Sequence, residues 1–196
     1  MAIHYKGYLA RLEDLPSSDL PDHAVPYDEP ADLDGLIKAI MPWHWPLLAL
    51  IAAAYVIRSL LTGHWLHLPT LLGCLAIIPG FFLHEWVHAW SFPRGAEVHI
   101  YQKIDAGLLM AYSPQPVSRL RFIVISAAPG LLLGLLPLGI WALTASDHYL
   151  ARSLLPFGCA LLLGAVGDFY NIYNTLVQVP KGAHVQLSGW RSYWFR

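Results

Sequence analysis

Four apolar runs set the terms on which this chain can fold. They are WHWPLLALIAAAYVIRSLL (43–61), PTLLGCLAIIPGFFLHEWVHAWSF (69–92), RLRFIVISAAPGLLLGLLPLGIWAL (119–143) and YLARSLLPFGCALLLGAVGDFYNIYNTLVQV (149–179). Each approaches or exceeds the roughly 20 residues that carry a helix across about 30 Å of hydrocarbon. Only 13% of the chain is charged, about half the share of a soluble domain. There is too little charge to face water on all sides, so lipid covers much of the surface. The expected fold is mainly α: a polytopic membrane protein of about four transmembrane helices. Pro79, Pro129, Pro137 and Pro156 lie inside the runs and should kink or break them locally.

The segments between the runs organise the rest. Residues 1–40 are polar, acidic and proline-rich. They read as a loosely ordered extramembrane segment, either a plain tail or a flap over a site, with 41–196 as the membrane-embedded domain. The beginning of the chain has no apolar h-region of the kind a cleavable signal peptide needs, so targeting is expected to come from the spans. Between the second and third runs, EVHIYQ and LLMAYS flank KIDAG, which predicts a short β-hairpin with a glycine-containing turn.

Ten of the twelve Lys and Arg residues lie before the first run, between the second and third or at the very start of the third, or after the fourth; Arg58 and Arg152 are the exceptions. By the positive-inside rule both termini and the middle loop are cytoplasmic. Trp43, Trp45, Trp65, Trp190 and Trp194 gather near the boundaries, as an aromatic belt does. A net charge of −1 offers no electrostatic footprint for nucleic acid. Cys74 and Cys159 sit within apolar runs and read as small core residues rather than metal or disulfide partners.

The second run ends in FFLHEWVHAW, where His84, Glu85 and His88 stand among Phe, Leu, Val and Trp. The pattern is H-E-x-x-H. By chance it would occur in about one in a hundred chains of this composition. On a helix, residues four apart share a face, so His84 and His88 can aim two imidazoles at one ion. Glu85 lies about 100° further round the axis. There it can take a proton from a metal-bound water, whose pKa the ion lowers to about 7. An ionised carboxylate inside a span costs roughly 2.5–3.5 kcal/mol, and a metal would offset that. The plainer reading is a helix end whose polar residues meet headgroups or water.

Two histidines and a water leave a tetrahedral site one ligand short. Asp168, in GAVGDFYNIYN, is the only charged residue between Arg152 and Lys181. Its helix runs in the same direction as that of the histidines. Drawn as straight helices, His88 lies about 6 Å and Asp168 about 16 Å from their cytoplasmic ends. Asp168 is therefore the candidate third ligand, against a plain hydrogen-bonded role with Asn171 or a tyrosine. Asn171 could orient Asp168, hold a substrate carbonyl, or make an ordinary interhelical hydrogen bond. Two histidines and a carboxylate suit zinc (Zn2+) and can also hold iron.

HEWVHAW in a span, a hairpin after it, AAPG in the next helix and GDFYNIYN in the one following resemble the putative zincin peptidase family of small membrane proteins. The likeness covers roughly 70–195, including the tail VPKGAHVQLSGWRSYWF. More remotely, the arrangement is similar to the site-2 proteases, which are intramembrane zinc metalloproteases. The resemblance implies zinc at His84, His88 and Asp168, Glu85 as general base, and hydrolysis of a peptide bond in or near the membrane. It implies membrane lipid and a membrane-protein or peptide substrate as partners. Here the aspartate stands in Gly-Asp-Phe, where the site-2 proteases have Asp-Gly in an Asn-Pro-rich segment. Two other readings keep the motif: a membrane metal-binding or transport protein, which would need further acids along a path across the bilayer, and a non-catalytic scaffold.

Overall fold

A computed structural model of the protein describes residues 2–11, 14–103 and 108–196. The first apolar run begins ten residues earlier than its hydrophobicity alone predicts. Asp32 starts it: its side chain accepts the Gly35 N–H at 2.7 Å, satisfying one of the free donors of a helix N-terminus. Leu33–Ile40 (α1), a 3-10 turn at Met41–Trp43 and His44–Thr62 (α2) then continue as one stretch of 30 residues. Gly63 ends it with φ 72°, a left-handed cap that glycine adopts without strain.

Leu71–Ser91 (α3) is capped in the same manner by Thr70. Arg119–Pro129 (α4), a π turn at Gly130–Leu135 and Leu136–Leu143 (α5) make a third stretch of 25 residues. Tyr149–Gly164 (α6) and Val166–Gln178 (α7) meet at a 43° bend. Three helices are thus long and apolar enough to cross a membrane, or four if the bent pair counts as one span.

The prolines act unevenly. α3 is continuous across Pro79 and α6 across Pro156, whereas Pro129 passes directly into the π turn. The sharp bend falls at Ala165, whose φ −80° and ψ 9° leave the helical region for the bridge region. The helices pack closely where side chains are missing. A Cβ on Gly134 would stand 2.7 Å from the Leu162 Cα, so the π turn touches the α6 backbone only because glycine is there.

Arg58, one of the two basic residues that break the charge rule, is fully buried in α2. Its guanidinium donates to the carbonyls of Trp141, Thr144 and Ser146 and pairs with Asp147 at 3.2 Å. It therefore caps the C-terminal end of α5, where unpaired carbonyls favour a cation.

Two small sheets gather at one end of the helices. Ala2–Tyr8 (β1) pairs in parallel with Glu97–Lys103 (β3), which pairs antiparallel with Leu108–Tyr112 (β4). Most of the turn expected at KIDAG lies outside the described residues. In the second sheet, Val25–Pro26 (β2), Arg191–Phe195 (β7), His184–Ser188 (β6) and Val117–Ser118 (β5) are neighbours in that order. Because β1 joins β3 and β5 joins β6, both termini and the segment between α3 and α4 lie together on one side.

The first 40 residues therefore carry more structure than a loosely ordered segment. Leu9 and Leu15 bury against Tyr112, and Tyr27 enters the cluster of Ala89, Val98, Phe122 and Val185. Tyr27 Oη lies 3.1 Å from the buried Thr175 hydroxyl. Tyr112 donates to the Pro16 carbonyl at 2.6 Å and the Ser18 hydroxyl to the Leu187 carbonyl at 2.6 Å. A few apolar anchors and backbone hydrogen bonds hold a chain whose average composition is polar.

Candidate metal centre

The last two turns of α3 carry His84, Glu85 and His88, all buried. The 3.6-residue period stacks the two imidazoles on one face, and their Nε2 atoms stand 3.1 Å apart. The bend at Ala165 swings the first turn of α7 toward them. Asp168 Oδ2 then lies 3.0 Å from His84 Nε2, and Asp168 Oδ1 lies 3.2 Å from His88 Nε2. No hydrogen bond joins Asp168 to Asn171 among the described residues.

These distances can be compared with what zinc requires. At Zn–N bonds of about 2.0–2.1 Å, the edge of a tetrahedral site is about 3.3–3.4 Å. The two imidazole nitrogens stand 3.1 Å apart and each faces its own Asp168 oxygen, at 3.0 and 3.2 Å, a few tenths of an ångström short of that edge. His88 Nδ1 lies 2.8 Å from the Ile125 carbonyl and donates to it. That bond fixes the tautomer that turns the Nε2 lone pair inward. His88 Nε2 then faces a carboxylate oxygen, and positive charge must stand between them. A proton does this for one ring, while a divalent ion does it for both. The residues fit the metal.

His84, Glu85 and His88 each place one ligand atom within 4.8 Å of the others, while Asp168 closes on the imidazoles from α7. The Glu85 Oε2 atom accepts the Ala111 N–H from β4 at 2.7 Å. The strand's backbone thereby orients the carboxylate.

All four residues, with Asn171, line a cavity of about 300 Å³. Asn171 follows Asp168 by one turn of α7, and its side chain has no hydrogen-bond partner among the described residues. Ser126, on α4, lines the same cavity at 4% exposure. Part of the remaining wall comes from β4 and α4, and part from the two ends of the chain: Leu15, Glu29 and Leu36 from the N-terminal segment, and Leu187, Trp190 and Ser192 from β6, β7 and their turn. Burial pushes the Glu29 carboxyl above the usual carboxylate range, and hydrogen bonds from Ser192 with the charge of Arg191 offset part of that. Sequence reasoning missed Ala111, Ser126 and Glu29. Nothing local marks a strand amide or a lone serine as part of a site, and Glu29 is one of many acids in a polar stretch.

The family model described as putative zincin peptidase matches residues 75–184, which include His84, Glu85, His88, Asp168 and Asn171. No curated protein and no solved structure matches the chain.

Proposed function

Because the chain belongs to the putative zincin peptidase family, we propose that it is a membrane-embedded zinc metallopeptidase that hydrolyses a peptide bond in or near the bilayer. The observation that carries this reading is the convergence of two imidazoles and a carboxylate, 80 residues apart in sequence, beside an anchored glutamate. His84, His88 and Asp168 would hold the zinc, which supplies a Lewis acid and lowers the pKa of a bound water.

The rest of the chemistry belongs to this chain's own groups. Glu85 takes the proton from the attacking water and returns it to the departing amine nitrogen, so a peptide bond and an O–H bond break while acid and amine form. The Asn171 amide, which has no hydrogen-bond partner among the described residues, donates to the carbonyl oxygen as its charge grows. The N-terminal and C-terminal segments roof the cavity and limit its water. Support for a membrane setting comes from α3, an apolar helix long enough to span, which carries the histidines. The lysine and arginine distribution supports a site in the cytoplasmic half, with both termini cytoplasmic.

The test is hydrolysis of a peptide mixture by purified, zinc-loaded protein in detergent. A chelator is expected to abolish cleavage, and added zinc to restore it. Turnover unaffected by complete metal removal would end the metallopeptidase reading.

A helical substrate cannot present its scissile carbonyl, because the helix uses that group internally. The open edge of β4 offers an alternative partner. β4 is the outer strand of its sheet, and the Ala111 N–H points to Glu85 instead of β3. The alternation of an antiparallel ladder turns the Leu109 N–H the same way. A substrate strand paired there runs past the general base by β-augmentation. Leu109→Pro removes that donor while sparing the ladder to β3. The expected result is peptide turnover reduced about tenfold with zinc retained. Unchanged turnover would rule out strand pairing at this edge.

A further inference from the structure

Glu29 gives the cavity a feature that the proposed hydrolysis does not use. It lies between β2 and α1, outside the residues matched by the family model, yet it lines the same cavity as His84 and Glu85. Its Oε1 accepts the Ser192 N–H at 2.6 Å. Among the described residues it has no Lys or Arg within salt-bridge distance. Arg191 is the nearby cation, but its Nη2 donates to the Tyr27 carbonyl and its Nε is buried without a partner. Among the described residues no Lys or Arg lines the cavity.

The surroundings are of a particular kind. Leu15, Leu36 and Trp190 form apolar wall within the same cavity. An acid held by neutral donors, next to apolar wall and facing a cavity, has no direct ion-pair partner among the described residues, since Arg191 acts on it only from beyond salt-bridge distance. A lysine or arginine side chain supplies one. Its methylene stem covers apolar surface while its head meets the carboxylate, and a charge-assisted hydrogen bond is stronger for being partly shielded from water.

We propose that Glu29 is a specificity-determining residue that receives the side chain of a lysine or arginine near the scissile bond of the substrate peptide. The proposal rests on the peptidase reading. The competing role is structural: Glu29 only ties the N-terminal segment to β7. Glu29→Gln separates the two, because the amide oxygen still accepts the Ser192 N–H while the charge is gone.

The experiment uses full-length, zinc-loaded protein in detergent and peptides with amidated C-termini, each made with an acetylated and with a free N-terminus. Cleavage of a peptide mixture, read by mass spectrometry, gives the residues flanking each cut. Matched peptides then carry lysine or its neutral analogue norleucine at the enriched position. The unaltered protein is expected to prefer lysine by about tenfold in kcat/KM, and Glu29→Gln to cut both within about twofold. Glu29→Lys should shift the preference toward a glutamate-bearing peptide.

A ratio that is the same in the unaltered protein and Glu29→Gln would overturn the proposal. So would cleavage that requires a free N-terminal amine, since the acid would then be taking an α-ammonium group. Binding of the matched peptides to the Glu85→Gln protein, with and without Glu29→Gln, forms a separate arm. If no peptide is cut by the unaltered protein, the peptidase reading fails. A lysine preference in binding that needs Glu29 would still support the subsite, and no such preference would remove it.

Discussion

Protein carrying Asp168→Ala is expected to be purified nearly free of zinc. Asp168 faces both imidazoles at 3.0 and 3.2 Å and is the one acid among the three proposed ligands. Without it, an ion would sit between two neutral rings, two ligands short of a tetrahedral site before water is counted. It would also be a dication in a buried place with no ligand charge to balance it. Altering a residue that merely orients a ligand typically weakens metal binding about 10- to 100-fold, and removing a ligand costs more. Metal analysis beside His84→Ala makes the comparison. Unchanged stoichiometric zinc in both variants would eliminate the proposed centre.

The second large effect separates chemistry from binding. Glu85→Gln is expected to keep its zinc and lose about 10²- to 10⁴-fold in turnover, the usual worth of a positioned proton acceptor. The substitution is close to isosteric, and the amide oxygen can still accept the Ala111 N–H that holds the side chain in place. What the amide cannot do is take a proton from water. Zinc lost from this variant would make Glu85 a ligand. Full activity would put the proton acceptor elsewhere, and a metal-binding scaffold would show no turnover in either protein.

What could be read before the fold was known follows the range of the interaction. His84, Glu85 and His88 are related by helical periodicity within five residues, so their shared turn needs no tertiary information. Asp168 was findable only by elimination, as the lone acid of its run. Its meeting with the histidines depends on a bend that no proline marks. Straight helices place it about 10 Å deeper than His88. The break at Ala165, with bridge-region dihedrals, gives α7 its own direction. Pro156, one of the four prolines expected to kink or break the runs, sits in an unbroken α6. The outer strands of the hairpin show as alternating residues, whereas the pairing of β1 with β3 joins segments about 95 positions apart, which no local pattern encodes. For the same reason the role of the N-terminal segment was underestimated: Leu9, Leu15 and Tyr27 are few, and their burial depends on partners far along the chain.

That long-range ladder sets an order on biosynthesis. When β1 leaves the ribosome its partner does not yet exist, and two long apolar helices must be translated and inserted before β3 follows. The opening residues wait unpaired through that interval. The roof they form waits longer still, because the Ser192 amide that holds Glu29 follows 163 residues later. The nascent chain therefore exposes the turn of His84, Glu85 and His88 before its cover exists, and enclosure of the cavity waits until both sheets have been translated.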